Sequence, residues 1–431
     1  MHNIVTRLLN GPIAEDSATA SLKGIYAICS AHPWVLEAAM QQAQHDGTPL
    51  LIESTSNQVD QYGGYTGMKP ADFVGFVQRI AQRVGMPRER LILGGDHLGP
   101  NAWRSLPAAE AMLRAEALID AYVSAGFTKI HLDTSMACGG DPEHLSDSVV
   151  AQRAARLCEV AERAALREGL KTRPVYVIGT EVPVPGGASE TLNTVDVTRR
   201  DAALETVAIH RDAWRARQLE DAWERVIALV VQPGVEFDHT QVIDYQPELA
   251  TDLSHVLTQL PGMVFEAHST DYQRPDSLKA LVRDGFAILK VGPAVTFALR
   301  EALYALADIE SALLPPDRRS ELRAVVESVM LRKPGNWEKY YHGAADETRL
   351  LRTYSYSDRV RYYWADPEID AAAQRLMRNL SETPIPENLL SQYLPGQYWQ
   401  LRNGTVDASP MSIVQSKVRE VIQHYASACR D

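Results

Sequence analysis

The chain has 431 residues, of which 45% are hydrophobic and 23% are charged, as is ordinary for a globular enzyme. No stretch offers the roughly 18 uninterrupted apolar residues that a membrane helix needs, so we expect no membrane partner. The 43 basic and 55 acidic residues give a net charge of −12, which disfavours nucleic acid as a partner. Four scattered cysteines and the lack of a signal-peptide pattern indicate a cytoplasmic protein with reduced thiols.

Eight short apolar runs alternate with helical patterns in the first two thirds of the chain. Such alternation is typical of a parallel sheet, and eight strands within about 300 residues predict a TIM (β/α)8 barrel. An open doubly wound sheet is the alternative. The predicted strands cover residues 24–29, 48–53, 91–95, 128–133, 174–179, 226–232, 263–268 and 286–290.

The pattern changes after residue 293. We expect the barrel to occupy residues 1–293 and a helical C-terminal extension, residues 294–431, to pack on it. Within the extension, residues 354–364 read Tyr-Ser-Tyr-Ser-Asp-Arg-Val-Arg-Tyr-Tyr-Trp. Five aromatic rings beside two arginines indicate either an interface or lid, or the core of a helical lobe.

Side chains with chemical function stand at the ends of nearly all the predicted strands. In a TIM barrel the active site forms at the carboxyl ends of the strands, so these side chains should converge. The third strand is the most informative, because Gly94 and Gly95 allow a close backbone approach just before Asp96 and His97. An ordinary helix-capping loop is the alternative there. The strand ends supply Ser30, Glu53, Asp96, His97, Asp133, Glu181, Gln232, Glu266, His268 and Lys290.

Two imidazoles and a carboxylate from three strands, His97, Glu181 and His268, form the ligand set of a catalytic divalent ion with an open coordination position. We therefore expect a divalent metal, zinc or manganese, with a metal-free acid and base pair as the alternative. Asp133 is either a further ligand or orients one, and His239 is a weaker candidate. Loop, wall-facing or surface positions are expected for His32, His131 and His342.

Longer motifs surround these positions. They are Ser-Ala-His-Pro (30–33), Ile-Glu-Ser-Thr-Ser-Asn-Gln-Val (52–59), Gly-Gly-Asp-His-Leu-Gly-Pro-Asn (94–101), Gly-Thr-Glu-Val-Pro-Val-Pro-Gly-Gly (179–187), Glu-Ala-His-Ser-Thr-Asp-Tyr-Gln (266–273) and Leu-Lys-Val-Gly-Pro-Ala (289–294). In these motifs, and in Ser-Asp-Arg-Val-Arg-Tyr-Tyr-Trp (357–364), the chain resembles the GatZ/KbaZ family, subunits associated with class II D-tagatose-1,6-bisphosphate aldolase. The resemblance implies a TIM barrel that acts in galactitol, N-acetylgalactosamine or tagatose catabolism.

More distantly, the strand ends resemble those of the zinc aldolases. That resemblance implies that Asp96 is the proton donor and that His97 and His268 are zinc ligands. Where the zinc aldolases place another histidine ligand, this chain has Gln232, whose neutral amide is better suited to a substrate hydroxyl.

The zinc aldolases hold a substrate phosphate with the loops after the last two strands. In this chain Asp271 would repel a phosphate there and Pro293 removes an amide donor, so we hypothesise an unphosphorylated ketohexose as substrate. Substrate contacts are expected from Ser30, Glu53, Asn57, Gln232, Ser269, Asp271 and Lys290.

Together, residues and resemblance predict metal-dependent retro-aldol or aldol chemistry on a ketohexose or ketohexose phosphate. The outcome is either cleavage or, for a free sugar, carbon-four epimerisation between D-fructose and D-tagatose. Asp96, Asp133 and Glu266 are the candidate acids and bases. The alternative is a non-catalytic subunit that stabilises a separate class II aldolase subunit, and a homo-oligomer is compatible with both.

Overall fold

A closed barrel of eight parallel strands forms the centre of the computed structural model, which describes residues 3–9, 22–180, 188 and 195–430. The barrel strands are Ile25–Ile28 (β1), Leu50–Thr55 (β2), Leu91–Leu98 (β3), Lys129–Leu132 (β4), Val175–Ile178 (β5), Val226–Val231 (β6), Val264–Ala267 (β9) and Ile288–Val291 (β10). Neighbours in this order are paired, and β10 pairs back with β1. The TIM barrel prediction is confirmed, and the open sheet is excluded. Glu236–Phe237 (β7) and Val242–Ile243 (β8) form a separate antiparallel pair.

Helices surround the barrel and make up the C-terminal part of the chain. They are Ile4–Leu9 (α1), Pro33–Asp46 (α2), Pro70–Val84 (α3), Ala108–Ser124 (α4), Asp147–Arg167 (α5), Arg200–Arg215 (α6), Glu220–Trp223 (α7), Pro247–Ser254 (α8), Pro275–Arg283 (α9), Pro293–Leu313 (α10), Leu322–Arg332 (α11), Ala345–Tyr354 (α12), Pro367–Glu382 (α13), Glu387–Tyr393 (α14), Pro395–Arg402 (α15) and Pro410–Arg430 (α16). None of these helices combines the length and the apolar character that crossing a lipid bilayer demands.

Proline begins many of these helices, because its fixed φ suits the first turn and its missing N–H is not needed there. Helix α2 shows the pattern in full. Pro33 stands in its first turn, the ring of His32 accepts a hydrogen bond from the backbone N–H of Trp34, and Gly47 ends the helix with φ of 69°. The first predicted βα unit is therefore confirmed, and His32 has the loop position expected for it.

An apolar layer fills the floor of the barrel interior. It contains Ile25, Ala27, Leu51, Ile92, Val175, Val177, Ile227, Ala228, Val230 and Ile288, and Val5 of α1 packs against it. Because side chains alternate along a strand, the next inward positions, one step toward the carboxyl ends, are Glu53, Lys129, Glu266 and Lys290. A polar layer therefore lies directly above the apolar floor.

The last helix, α16, packs between α2 and α9 and also contacts β1. The carbonyl of Cys429 accepts a hydrogen bond from the N–H of Lys23 at 2.8 Å, and the hydroxyl of Tyr425 donates to the carbonyl of Thr270 at 2.6 Å. The C-terminal part of the chain thus completes the ring of helices beside β1. The division at residues 293 and 294 stays a prediction.

Candidate active site at the mouth of the barrel

Strand β3 carries a bulge at Asp96 and His97. The register of β3 against β4 shifts at these two residues, and His97 has φ of 48°, a left-handed conformation that non-glycine residues rarely adopt. Both side chains are buried in the barrel mouth. A Cβ on Gly94 would lie 2.4 Å from Oε1 of Glu53, so the close approach that the sequence predicts at Gly94 is confirmed. Strain of this kind at a buried polar pair is typical of a functional site.

Three imidazole rings meet at this bulge. The ring centroids of His97 and His268 are 4.8 Å apart, those of His97 and His131 5.1 Å, and those of His131 and His268 5.2 Å. The expectation of a wall-facing or surface position for His131 is therefore wrong. Residues 129, 131 and 133 share one parity along β4, so an inward Asp133 requires an inward His131 as well.

Beneath the histidines lies a buried ionic network. The Nζ of Lys129 is 2.7 Å from Oε1 of Glu53 and 2.6 Å from Oε2 of Glu266, and all three side chains are fully buried. Lys290 contacts Glu53 and lies 2.9 Å from Oδ1 of Asp96. Glu53 and Glu266 therefore bind lysines under the cavity rather than lining it, which argues against the predicted direct contact of Glu53 with substrate.

Aspartates hold two of the rings in place. Nδ1 of His97 is 2.9 Å from Oδ2 of Asp133, and Nδ1 of His131 is 3.1 Å from Oδ1 of Asp96. Asp133 also accepts a hydrogen bond from the hydroxyl of Ser135 at 2.7 Å. Asp133 therefore orients His97, the second of the two roles that the sequence leaves open for it.

Burial and charge shift the protonation of the site. Burial alone lowers the pKa of His97, but attraction to Asp96 and its bond with Asp133 raise it overall to about 9. Burial raises the pKa of Asp96, yet attraction to His97 and the hydrogen bond with His131 hold it below its usual range. Burial lowers the pKa of Lys290 to about 8. At neutral pH the carboxyl group of Asp96 is therefore ionised and the ring of His97 is protonated.

The residues present fit a divalent cation. Asp96, His131, Glu266 and His268 each offer one ligand atom, and these four atoms all lie within 4.8 Å of one another. Two imidazole nitrogens and two carboxylate oxygens suit zinc or manganese. The Nε2 of His131 is buried and has no hydrogen-bond partner in the described part of the chain, so it is free to act as a ligand.

The charge balance of the site also favours a bound divalent cation. We define the charge cluster as Glu53, Asp96, Asp133, Glu266, Lys129 and Lys290. Its four carboxylates outnumber its two ammonium groups by two, in a place that water hardly reaches. A protonated His97, which its raised pKa implies, leaves one negative charge in excess. Uncompensated buried charge is unfavourable, and one divalent ion would balance the cluster once His97 has released its proton.

The metal ligands predicted from the sequence are His97, Glu181 and His268. His268 belongs to the four-residue group, and the ring of His97 lies beside it. Glu181 lies outside the described residues. That ligand set therefore stays a prediction, and the geometry adds His131 to the candidates.

The family model for the "D-tagatose-1,6-bisphosphate aldolase subunit GatZ/KbaZ-like" proteins matches residues 11–430. The chain belongs to the GatZ/KbaZ-like family. The resemblance read from the sequence motifs is thus confirmed over nearly the whole length.

Solved structures resemble this GatZ/KbaZ-like chain to different degrees. A crystal structure described as "a probable tagatose 6 phosphate kinase from Sinorhizobium meliloti 1021" shares 54% sequence identity, with a TM-score of 0.87, and the match covers 94% of this chain and 100% of that one. The YdjI aldolase from Escherichia coli K12 shares 13% identity with a TM-score of 0.42, covering 88% of this chain and 97% of that one. The fructose-bisphosphate aldolase from Campylobacter jejuni shares 13% identity with a TM-score of 0.44, and the match covers 85% of this chain and 90% of that one.

In this GatZ/KbaZ-like chain a cavity of about 650 Å³, the reaction cavity, opens above the charge cluster. Its polar lining includes Asn57, Asp96, His97, His268, Ser269, Asp271, Lys290 and Arg361. The three predicted acid and base carboxylates, Asp96, Asp133 and Glu266, all belong to the described part of the chain. Asp96 is the one of the three that lines the reaction cavity. The predicted substrate residues Asn57, Ser269, Asp271 and Lys290 are brought together here.

The remaining predicted residues of the GatZ/KbaZ-like chain lie elsewhere. Ser30 lines a second, neighbouring cavity, and the side-chain oxygen of Gln232 accepts the backbone N–H groups of Gly234 and Val235. Gln232 therefore stabilises its own loop, and the prediction that it contacts substrate is not supported. Nε2 of His239 donates to the carbonyl of Tyr340 at 3.0 Å, so this histidine is no ligand of the cluster. His342 is exposed, as expected.

The residues of this site that the sequence did not predict include Lys129, His131, Arg361 and Tyr362. Lys129 and His131 carried a usable signal, since both share the parity of Asp133 along β4. Arg361 and Tyr362, from a short 3-10 helix (Arg359–Tyr362), line the reaction cavity and cover the barrel mouth. This placement favours the lid alternative for residues 354–364, and no sequence pattern shows to which strand end such a segment folds back.

Proposed function

We propose that this chain is itself an enzyme that performs metal-dependent aldol-type chemistry on a ketohexose. The reaction either cleaves the bond between carbons three and four or inverts carbon four, which interconverts D-fructose and D-tagatose. The observation that carries the proposal is the charge cluster with three histidines beneath the reaction cavity. Burying so many ionisable groups costs stability, and a subunit that only supports a partner has no need of them.

Asp96 has the position of the acid and base. Its carboxylate lines the reaction cavity and is 2.9 Å from the ammonium group of Lys290. It takes the proton of the carbon-four hydroxyl, carbon four becomes a carbonyl, and the bond between carbons three and four breaks. The electron pair of that bond moves toward the carbonyl oxygen at carbon two. The other three residues of the candidate ligand group, His131, Glu266 and His268, would hold a divalent cation, which would supply positive charge for that oxygen.

Residues behind the reaction cavity hold the histidine rings in position. Asp133 holds His97 through a buried 2.9 Å hydrogen bond, and Lys129 holds Glu266, whose other oxygen is 3.0 Å from Nε2 of His268. This support fixes the rings before substrate arrives, which lowers the cost of organising the transition state. Arg361 and Tyr362 line the reaction cavity and restrict the access of water to it.

At the start of α10, the wall of the reaction cavity suits a free sugar better than a phosphorylated one. Oδ1 of Asp271 accepts the backbone N–H groups of Gly292 and Ala294, at 3.0 and 2.8 Å. A phosphate would need those amides and would meet a carboxylate instead. Arg361 brings one positive charge to the same cavity, so a ketohexose phosphate is the competing substrate.

The competing role is a non-catalytic subunit that stabilises a class II tagatose-1,6-bisphosphate aldolase. The word "subunit" in the family description favours it. This role requires neither a metal nor turnover by the isolated chain. A homo-oligomer would be compatible with either role.

The test is to incubate the purified chain alone with D-fructose, D-tagatose and tagatose 1,6-bisphosphate, after chelation and after addition of zinc or manganese. An epimeric hexose or triose phosphates would support catalysis and identify the reaction. His268→Ala should abolish the product, and His342→Ala, at an exposed histidine, should leave it unchanged. If no product forms under any of these conditions, the catalytic proposal is refuted and the supporting role remains.

A further inference from the structure

A second cavity, of about 1100 Å³, opens beside the reaction cavity; we call it the side cavity. The two share Cys29, Gln58, Tyr65 and Arg361 in their walls. The side cavity lies between the loop after β1 and the start of α13, at the junction of the barrel and the C-terminal part. Neither the reaction nor the charge cluster uses it.

Aromatic rings form much of the wall of the side cavity. The ring of His32 lies between the indoles of Trp34 and Trp364, with centroid distances of 5.5 and 6.1 Å. Burial lowers the pKa of His32 to about 3, so this ring is neutral. The small residues Ala31 and Ala365 leave room beside the rings. The aromatic part of the wall therefore offers apolar faces, and the rest of the lining carries one positive and one negative group, Arg361 and Asp370.

Trp364 also carries a polar group in need of a partner. Its side chain is only 6% exposed, and its Nε1–H has no acceptor among the residues that the structure describes. Buried N–H groups nearly always have an acceptor, so an exception beside a cavity calls for an explanation. The hydroxyl of Ser30 and the carboxamide of Gln374 add polar groups to the same lining.

We propose that the side cavity is a binding subsite for a neutral, polyhydroxylated ligand, the cyclic form of a ketohexose. A sugar ring has apolar C–H faces and hydroxyl edges, which match aromatic faces flanked by an unpartnered donor. Ketohexoses in water are mostly cyclic, whereas cleavage between carbons three and four needs the open chain. A subsite that shares a wall with the reaction cavity receives the ring form before reaction, and this assignment rests on the proposed function.

The test measures binding without turnover. We use the His268→Ala chain, titrate it with D-tagatose and D-fructose, and follow tryptophan fluorescence together with saturation-transfer NMR of the sugar. Saturable binding is expected, and Trp364→Phe in this background should weaken it about fivefold, the effect of one neutral hydrogen bond. The matched control is Trp214→Phe, because Trp214 also has a buried, unpartnered Nε1–H in the described chain but packs between His210 and Trp223 in the helix ring.

A second variant guards against a folding defect in the first. Ala365 is exposed and lines the side cavity, so Ala365→Phe should fill the space without disturbing the core and should also weaken binding. Equal affinity in the parent, Trp364→Phe and Ala365→Phe chains would overturn the proposal, as would the absence of saturable binding. Binding lost in both variants, in a chain that never shows turnover, would uphold the subsite and refute only the catalytic proposal.

Discussion

Replacing Lys129 by methionine should destabilise the fold more than any exposed lysine substitution. Lys129 is fully buried between Glu53 and Glu266, with contacts of 2.7 and 2.6 Å. Glu53 keeps a second partner, Lys290, so the change leaves one carboxylate, that of Glu266, without its close cation. Removing one partner of a buried ion pair costs about 3–5 kcal/mol. We expect that loss in the free energy of unfolding at pH 7, measured by denaturant titration.

The control is Lys333→Met. Lys333 pairs with Asp366 at 2.5 Å, but its side chain is 58% exposed, so its loss should cost less than about 1 kcal/mol. The double variant Lys129→Met with Glu266→Gln removes the stranded charge and should recover much of the stability. A Lys129→Met chain as stable as the Lys333→Met chain would refute the reasoning.

The cost of Lys129→Met should also depend on pH. In the native chain burial raises the pKa of Glu266, but attraction to Lys129 and the bond with His268 lower it overall to about 2. Without Lys129 that pKa rises above the value in the unfolded chain, so the folded variant retains a proton that the unfolded chain releases. The deficit should be largest at neutral pH and shrink as pH falls to about 4, the unfolded carboxyl range, where the penalty in the variant ends. It should shrink further between about 4 and about 2, where the native chain loses the advantage of its lowered Glu266 pKa.

Three further substitutions test the site. Asp133→Asn removes the charge that orients His97 and should lower metal affinity about 10–100-fold, measured by competition with a chelator; unchanged affinity would argue against a role for His97. Asp271→Asn should lower KM for tagatose 1,6-bisphosphate relative to D-tagatose at pH 8. Because burial raises the pKa of Asp271 to about 6, the difference should fade below pH 6, where the native side chain is itself neutral. Gly94→Ala places a Cβ 2.4 Å from the doubly paired Glu53 and should cost about 1–3 kcal/mol, whereas full stability would mean that Glu53 can move.

The sequence predicted the barrel because its strands are short apolar runs buried on both faces, each followed by a helix. It could not predict that α16 packs beside α2 and α9. An amphipathic helix shows which face is buried but not which groove receives it, and α16 lies more than a hundred residues after the last barrel strand.

Within the site, the sequence predicted the residues that directly follow apolar runs. Asp96, His97, His268 and Lys290 do line the reaction cavity. The inward position of His131 follows only from its parity with Asp133 along β4, and a single histidine in an apolar run does not show it. The ion pairs under the cavity were not predicted, because a strand pattern gives the direction of a side chain but not the partner across the barrel. Arg361 reaches the reaction cavity only through the path of the C-terminal segment.

We propose above that the polar cluster under the reaction cavity is a catalytic metal site of this chain alone. It is tested most directly by titrating zinc or manganese into the chelated, purified chain while bound metal and turnover of D-tagatose and D-fructose are measured on the same samples. The account predicts that both rise together and saturate at about one ion per chain, as for a single catalytic site. Full turnover in the chelated chain, or bound metal without any turnover, would contradict it.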